Sequence, residues 1–316
     1  MIPYTFFKDV EKRLKYILYS DTDSLFIHIP IKFNYDNPNE SIETVGNIAE
    51  KINNRIIDHL NSYVLPKLGI DPKYNETFFK TEIIADSIFF LGVKKNYAYK
   101  LLVKEGNIIK HKPVEYTGLT SKSDITKYTK EIINYVVENI MFDIELTDKQ
   151  KKDKAIKYIK SYYDKILADI KELKIDSIGQ PKKWSVKLKD DKDTWQIVGM
   201  RLYNTLFQEE VFKPMSGGIL IPIIIENPNL FLNKIQHLKD NKDCFLKNTP
   251  INNIVWFAFP YSFDKDKIQA LFDEYTIKIN VDKIWEKIYN QTLQDIIDLF
   301  NQYCNPYLQN KIMEIK

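Results

Sequence analysis

Two cysteines, Cys244 and Cys304, are too few and too far apart for a disulfide framework or a Cys-x-x-Cys metal site. Their scarcity excludes a small disulfide-stapled secreted domain and fits indifferent thiols in a reducing compartment. No run approaches the ~18 consecutive apolar residues of a membrane helix. The opening Met1-Ile2-Pro3-Tyr4-Thr5-Phe6-Phe7-Lys8-Asp9 lacks the basic head and small-residue cleavage site of a signal peptide. A cytoplasmic location, with no membrane partner, is therefore expected. Glycine is also scarce, at 9 residues, which suggests long helices and few tight turns. Internal repeats and low-complexity tracts are missing.

What is present belongs to a globular protein. Of 316 residues, 44% are hydrophobic and 28% charged, enough for one large domain or two moderate ones. The net charge of +3 is small, but its distribution is uneven. Residues 80–130 carry 10 basic and 5 acidic side chains, whereas residues 131–316 carry 27 of each. Clustered lysines of this kind are the electrostatic footprint of phosphate contacts, or else a solvated face.

The most specific segment is Tyr19-Ser20-Asp21-Thr22-Asp23-Ser24, set between Tyr16-Ile17-Leu18 and Leu25-Phe26-Ile27. Apolar segments flanking a short polar stretch predict a β-hairpin with Asp21 and Asp23 at its tip. Residues two apart share one side of an extended chain, so both carboxylates can point at one spot. Two carboxylates held together repel unless a cation lies between them, and hard oxygen ligands suit Mg²⁺ or Mn²⁺. Such a site suits phosphoryl transfer. An isolated Asp-Thr-Asp would be an ordinary polar turn; the hexapeptide as a whole is more specific.

Along the rest of the chain, Ser41 reads as the N-cap of a helix whose apolar positions run Val45, Ile48, Ala49, Ile52, Ile56, Ile57, Leu60. Strands are expected at 78–84, 88–91 and 97–103, followed by a turn at 104–107 and a returning strand. Helices are expected over 124–142 and from 147 to about 173, capped by Ser123 and Thr147. Residues 176–192 are polar, basic and contain Pro181, which predicts an exposed loop. A helix over 195–207, strands at 219–225 and 253–259, and helices at 264–272 and 281–303 complete the reading. The expected class is α+β.

The hexapeptide resembles motif C (Tyr-Gly-Asp-Thr-Asp-Ser) of family B DNA polymerases, with Ser20 where that family usually has Gly. Lys94-Lys95-Asn96-Tyr97, some 70 residues on, resembles the Lys-Lys-x-Tyr element of that family, which approaches the primer–template near its growing end. Tyr116-Thr117-Gly118-Leu119-Thr120-Ser121-Lys122-Ser123-Asp124 is similar to the passage from palm to thumb, where Gly118 can take a positive φ. Ile178-Gly179-Gln180-Pro181-Lys182-Lys183-Trp184 is similar to a thumb segment that follows the duplex. The resemblance implies the C-terminal part of a palm over residues 1–118, an antiparallel sheet with the motif C hairpin and a packing helix. A mostly helical thumb with a small β element would follow over 119–316.

The resemblance also implies the roles. Asp21 and Asp23 would be catalytic Mg²⁺ ligands, with Mn²⁺ possible. Tyr19, Thr22, Lys94, Lys95, Tyr97, Ser121, Lys122, Ser123, Lys182 and Lys183 would contact primer–template DNA, with a deoxynucleoside triphosphate (dNTP) as co-substrate. A motif A aspartate, a fingers helix carrying motif B and an exonuclease are not found in the sequence. The expectation is thus one subunit of a split polymerase of phage or viral type, active only with an N-terminal partner chain. A sliding clamp is a further possible partner, although Gln294-Asp295-Ile296-Ile297-Asp298-Leu299-Phe300 matches a clamp-binding peptide only in part and fits a helix stripe better. The alternative is a catalytically silent DNA-binding or processivity protein derived from a thumb. A reverse-transcriptase palm is disfavoured, because Thr22 separates aspartates that are adjacent there.

Overall fold

The computed structural model describes residues 17–20, 24–31, 34, 36–77, 79–90, 95–111, 113–118, 125–143, 145–184, 194–239, 254–289 and 296. The class is α+β, as expected. The chain divides into two compact units between Thr117 and Gly118. Gly118 takes a left-handed backbone there, with φ 74°.

In the first unit, β1 (Ile17–Ser20) and β2 (Leu25–Ile27) form the expected antiparallel hairpin, with Tyr19 opposite Phe26 and Ser20 opposite Leu25. Helix α1 spans Pro38–His59. It starts three residues before the predicted cap, because Pro38 has its φ already set for a first helical turn. Ser41 instead turns inward, is buried, and accepts a hydrogen bond from the Asn34 amide at 2.9 Å. Val45, Ile48, Ala49, Ile52, Ile56 and Ile57 form a half-buried stripe, while Glu43, Glu50, Lys51 and Arg55 are exposed.

Strands β3 (Ile83–Phe90), β4 (Tyr97–Lys104), β5 (Asn107–Ile108) and β6 (Val114–Thr117) make an antiparallel sheet. The two strands read from the sequence at 78–84 and 88–91 are one strand, continuous through Asp86. A register irregularity around Ala85 absorbs the polar residues. The core of this unit is β4, which pairs with β3 on one side and with β5 and β6 on the other. Ala98, Tyr99, Leu101, Leu102 and Val103 are buried. Glu105 and Gly106 both have positive φ (49° and 80°), the geometry of a two-residue hairpin turn matched to strand twist.

The second unit holds most of the buried side chains. Helix α2 (Lys127–Val136) is capped by Thr126, whose hydroxyl accepts from the Thr129 amide at 3.0 Å. The predicted cap, Ser123, lies outside the described residues. Helix α3 (Asp148–Lys171) opens with the expected cap at Thr147, closed into a reciprocal capping box by Gln150. Its buried positions Ala155, Ile159, Tyr162 and Ile166 follow helical spacing.

A second antiparallel sheet centres on β8 (Gly217–Ile225), which pairs with β7 (Gln180–Lys183), β9 (Trp256–Phe259) and β10 (Ile277–Ile279). Strand β7 falls in the segment predicted to be an exposed loop. Its pairing partners, Gly217 to Leu220, are distant in sequence, and Pro181 is tolerated because β7 is an edge strand. Ile178, Gly179 and Trp184 in the same segment are buried.

Helices α4 (Trp195–Phe207), α5 (Pro228–Lys239), α6 (Lys265–Glu274) and α7 (Val281–Tyr289) surround this sheet. Gly199 lets α4 approach β9 closely, since a Cβ there would sit 3.3 Å from the Trp256 carbonyl oxygen. At Gly218 a Cβ would be 2.6 Å from the Phe259 carbonyl oxygen, so only glycine fits the crowded start of β8. Asn204 is fully buried and closes the loop after α4 with two hydrogen bonds, donating to the Phe212 carbonyl (2.6 Å) and accepting from its amide (2.9 Å). Ile284, Ile288 and Ile296 are buried, as a helix stripe requires of them. Among the described residues no helix is long and apolar enough to cross a membrane.

Candidate functional site

Strands β1 and β2 lead into and out of the aspartate segment. Asp21, Thr22 and Asp23 themselves lie outside the described residues, as do Lys94, Ser121, Lys122 and Ser123 and the side chain of Tyr19. The strands on either side of the aspartate segment are described. Alternation in β2 sends Phe26 to one face and Leu25 to the other. Phe26 meets Tyr97 with ring centroids 5.3 Å apart, Phe90 at 6.2 Å and Tyr99 at 6.4 Å. Tyr97 and Tyr99, two apart on β4, share that face and stack at 6.2 Å. The hairpin of one sequence motif is thereby fastened to the strand that opens with the other.

Lys95 stands at the turn entering β4, exposed, with φ 62°. A left-handed backbone costs a lysine roughly 1–2 kcal/mol, so the surrounding strands must impose it. They do so through several anchors. Tyr97 pairs with Phe90 on β3 and with Thr117 on β6. Tyr99 donates its hydroxyl to Glu115 (2.9 Å), and Lys104 donates to the other Glu115 oxygen (2.8 Å). The Lys104 hydrogen bond holds the Glu115 carboxyl below its ordinary range, partly offset by burial. Burial first, and then the bond to Glu115, push the Tyr99 phenol well above its usual value.

The remaining candidates occupy β7 in the second unit. Lys183 is exposed opposite Gly217, and Lys182 lies opposite Gly218 with its ammonium 5.5 Å from the Trp195 ring. Lys287 on α7 reaches the same aromatic pair, 4.1 Å from the Trp256 ring and 5.0 Å from that of Trp195, and donates to Gln180 Oε1 at 3.3 Å. Cation–π contacts of this kind orient an ammonium without neutralising it. Sequence reasoning did not anticipate Lys287, Trp195 and Trp256, which sit on three separate elements. Phe26 was also missed as the fastening residue, although its place opposite Tyr19 was a legible signal.

Among the described residues no group of three or more His, Cys, Asp or Glu is placed to hold a metal ion. The chain matches no family model and no curated protein. Among solved structures it is similar to the family B DNA polymerase from the hyperthermophilic archaeon Pyrobaculum calidifontis, with a TM-score of 0.40 and 18% identity over 76% of this chain. The chain spans 23% of the length of that polymerase.

Proposed function

We propose that this chain is the C-terminal part of a family B DNA polymerase, the end of the palm followed by the thumb. The observation that carries the reading is the Phe26 contact. It joins the hairpin flanking Tyr19-Ser20-Asp21-Thr22-Asp23-Ser24 to the strand that is entered through Lys95-Asn96 and opens at Tyr97. Two motifs that resemble one family, about 70 residues apart in sequence, thus share one framework.

Asp21 and Asp23 would hold the magnesium ions, and carboxylate oxygens are the donors such hard cations take. Bound there, the metal would stabilise charge developing on the transferred phosphoryl group. Lys95 and Tyr97 would steady the primer strand, and Lys182 and Lys183 would contact duplex phosphates. The reaction is attack of the primer 3′-oxygen on the dNTP α-phosphate with release of pyrophosphate. Two carboxylates do not complete a two-metal site, so a third, with the fingers, would come from further polypeptide, in our reading a partner chain.

The test is primer extension by this chain reconstituted with the polypeptide that carries the fingers. Asp21→Asn and Asp23→Asn should each lower the rate about a thousandfold or more, since a lost metal ligand removes several kcal/mol of charge stabilisation. Extension at full rate by the double variant would leave a silent DNA-binding protein as the better description.

A further inference from the structure

The end of β8 carries more isoleucine than the core behind it can take. Ile223, Ile224 and Ile225 are consecutive, and alternation turns only every second residue inward. Ile223 is buried, whereas Ile224 is 47% exposed and stands opposite the exposed Lys278 of β10. Beside it lies a cavity of 320 Å³, whose apolar wall is these three isoleucines with Pro228, Ile254 and Val255.

Two polar side chains complete the wall, Asn280 and Lys283, both from the start of α7. The backbone amide of Asn280 donates to the Pro222 carbonyl (2.8 Å), and Asn280 Oδ1 accepts from the Lys283 backbone amide (2.9 Å). Both side chains are thereby rooted against β8. Neither Asn280 Nδ2 nor the Lys283 ammonium has a partner among the described residues. Glu226, the acidic residue that follows Ile225, is taken by Lys278 at 2.7 Å. A lysine in the first turn also opposes the helix dipole, so Lys283 does not serve the stability of α7.

We propose that this cavity is a docking site for a partner protein, taking an extended segment in which an apolar side chain lies next to Asp or Glu. The apolar side chain fills the isoleucine wall, and the carboxylate meets Lys283 and the Asn280 side-chain amide. Charge complementarity decides the occupant, since an unpaired cation at an apolar wall asks for an acid beside a hydrophobe. A nucleic-acid backbone has no use for the wall, because phosphate and sugar contacts are polar. The 320 Å³ volume holds about two apolar side chains and lies at the lower limit for burying a small-molecule ligand. The inference does not rest on the catalytic reading.

The experiment pans displayed random dodecapeptides against the full chain, with counter-selection on Ile224→Asp. Ile224 is exposed, so that variant should fold, and an unchanged melting temperature checks it. Recovered peptides should share an apolar residue adjacent to Asp or Glu. Fluorescent synthetic copies should bind Ile224→Asp and Lys283→Glu at least about tenfold more weakly than wild type. Exchanging the peptide's acid for lysine should restore binding to Lys283→Glu and weaken it to wild type, which a merely structural effect of the substitution would not do. Recovery of no Ile224-dependent peptide, enrichment without an acid, or equal binding to Lys283→Glu would overturn the proposal. So would octanoate alone binding as tightly as the best peptide, which would mark a small-carboxylate site. Ile224-dependent peptide binding without any Asp21- and Asp23-dependent extension would sink the catalytic reading alone.

Discussion

Replacing Phe26 by alanine tests the framework directly. Phe26 is half-buried and makes edge contacts with Phe90 (6.2 Å) and Tyr97 (5.3 Å). An aromatic pair adds about 0.5–1.5 kcal/mol beyond area burial, and half-burying a phenylalanine adds about 1 kcal/mol. Removing both contacts should therefore cost the docked hairpin about 2 kcal/mol, after allowing for relaxation. A two-stranded hairpin is marginal by itself, so this loss falls on local opening and not on the whole molecule. Native-state hydrogen exchange is the assay. The amides paired across β1 and β2 should lose about 30-fold in protection, while those of β8 and β9 stay unchanged. Phe26→Leu should lose much less. Full protection of the hairpin in Phe26→Ala would show that something other than this aromatic contact holds it, and the structural basis for joining the two motifs would fail.

Two further outcomes follow from single residues. Lys95→Gly should leave stability within about 0.5 kcal/mol, because relief of the left-handed strain offsets the greater freedom of the unfolded glycine, whereas Lys95→Val should cost more than about 1 kcal/mol; urea midpoints that rank Val equal to Gly would contradict the observed turn. Asn204→Leu orphans the buried amide and carbonyl of Phe212 and should cost about 3 kcal/mol, a fall of roughly 10 °C in the melting of the second unit. A shift below about 3 °C would mean that the loop after α4 finds other partners.

Elements set by local pattern were legible in the sequence. The Thr147 cap located the start of α3, and the apolar segments on either side of the polar hexapeptide located the β1–β2 hairpin. Strand β7 was not legible, because Pro181, Lys182 and Lys183 have the composition of a loop. Only pairing with the distant Gly217–Leu220 edge turns that segment into a strand. The start of α1 was misplaced for a related reason. Ser41 has the chemistry of a cap, but Pro38 begins the turn earlier and leaves the Ser41 hydroxyl to hold Asn34.

The candidate site was legible in its parts and not in its assembly. Tyr97 and Phe26 are each ordinary strand aromatics, and only the packing of two separate hairpins brings them within 5.3 Å. Lys95 shows why assembly matters for the proposed chemistry. On a free loop, a lysine would relax to a negative φ and its ammonium would sample many directions. Here β3 and β6 hold β4 from both sides, and Glu115 ties Tyr99 and Lys104 together beneath the aromatic stack. The strained turn thus persists and fixes the direction in which Lys95 leaves the backbone. A charge whose direction is set before binding loses less freedom when it meets a phosphate, as a residue steadying a primer end requires.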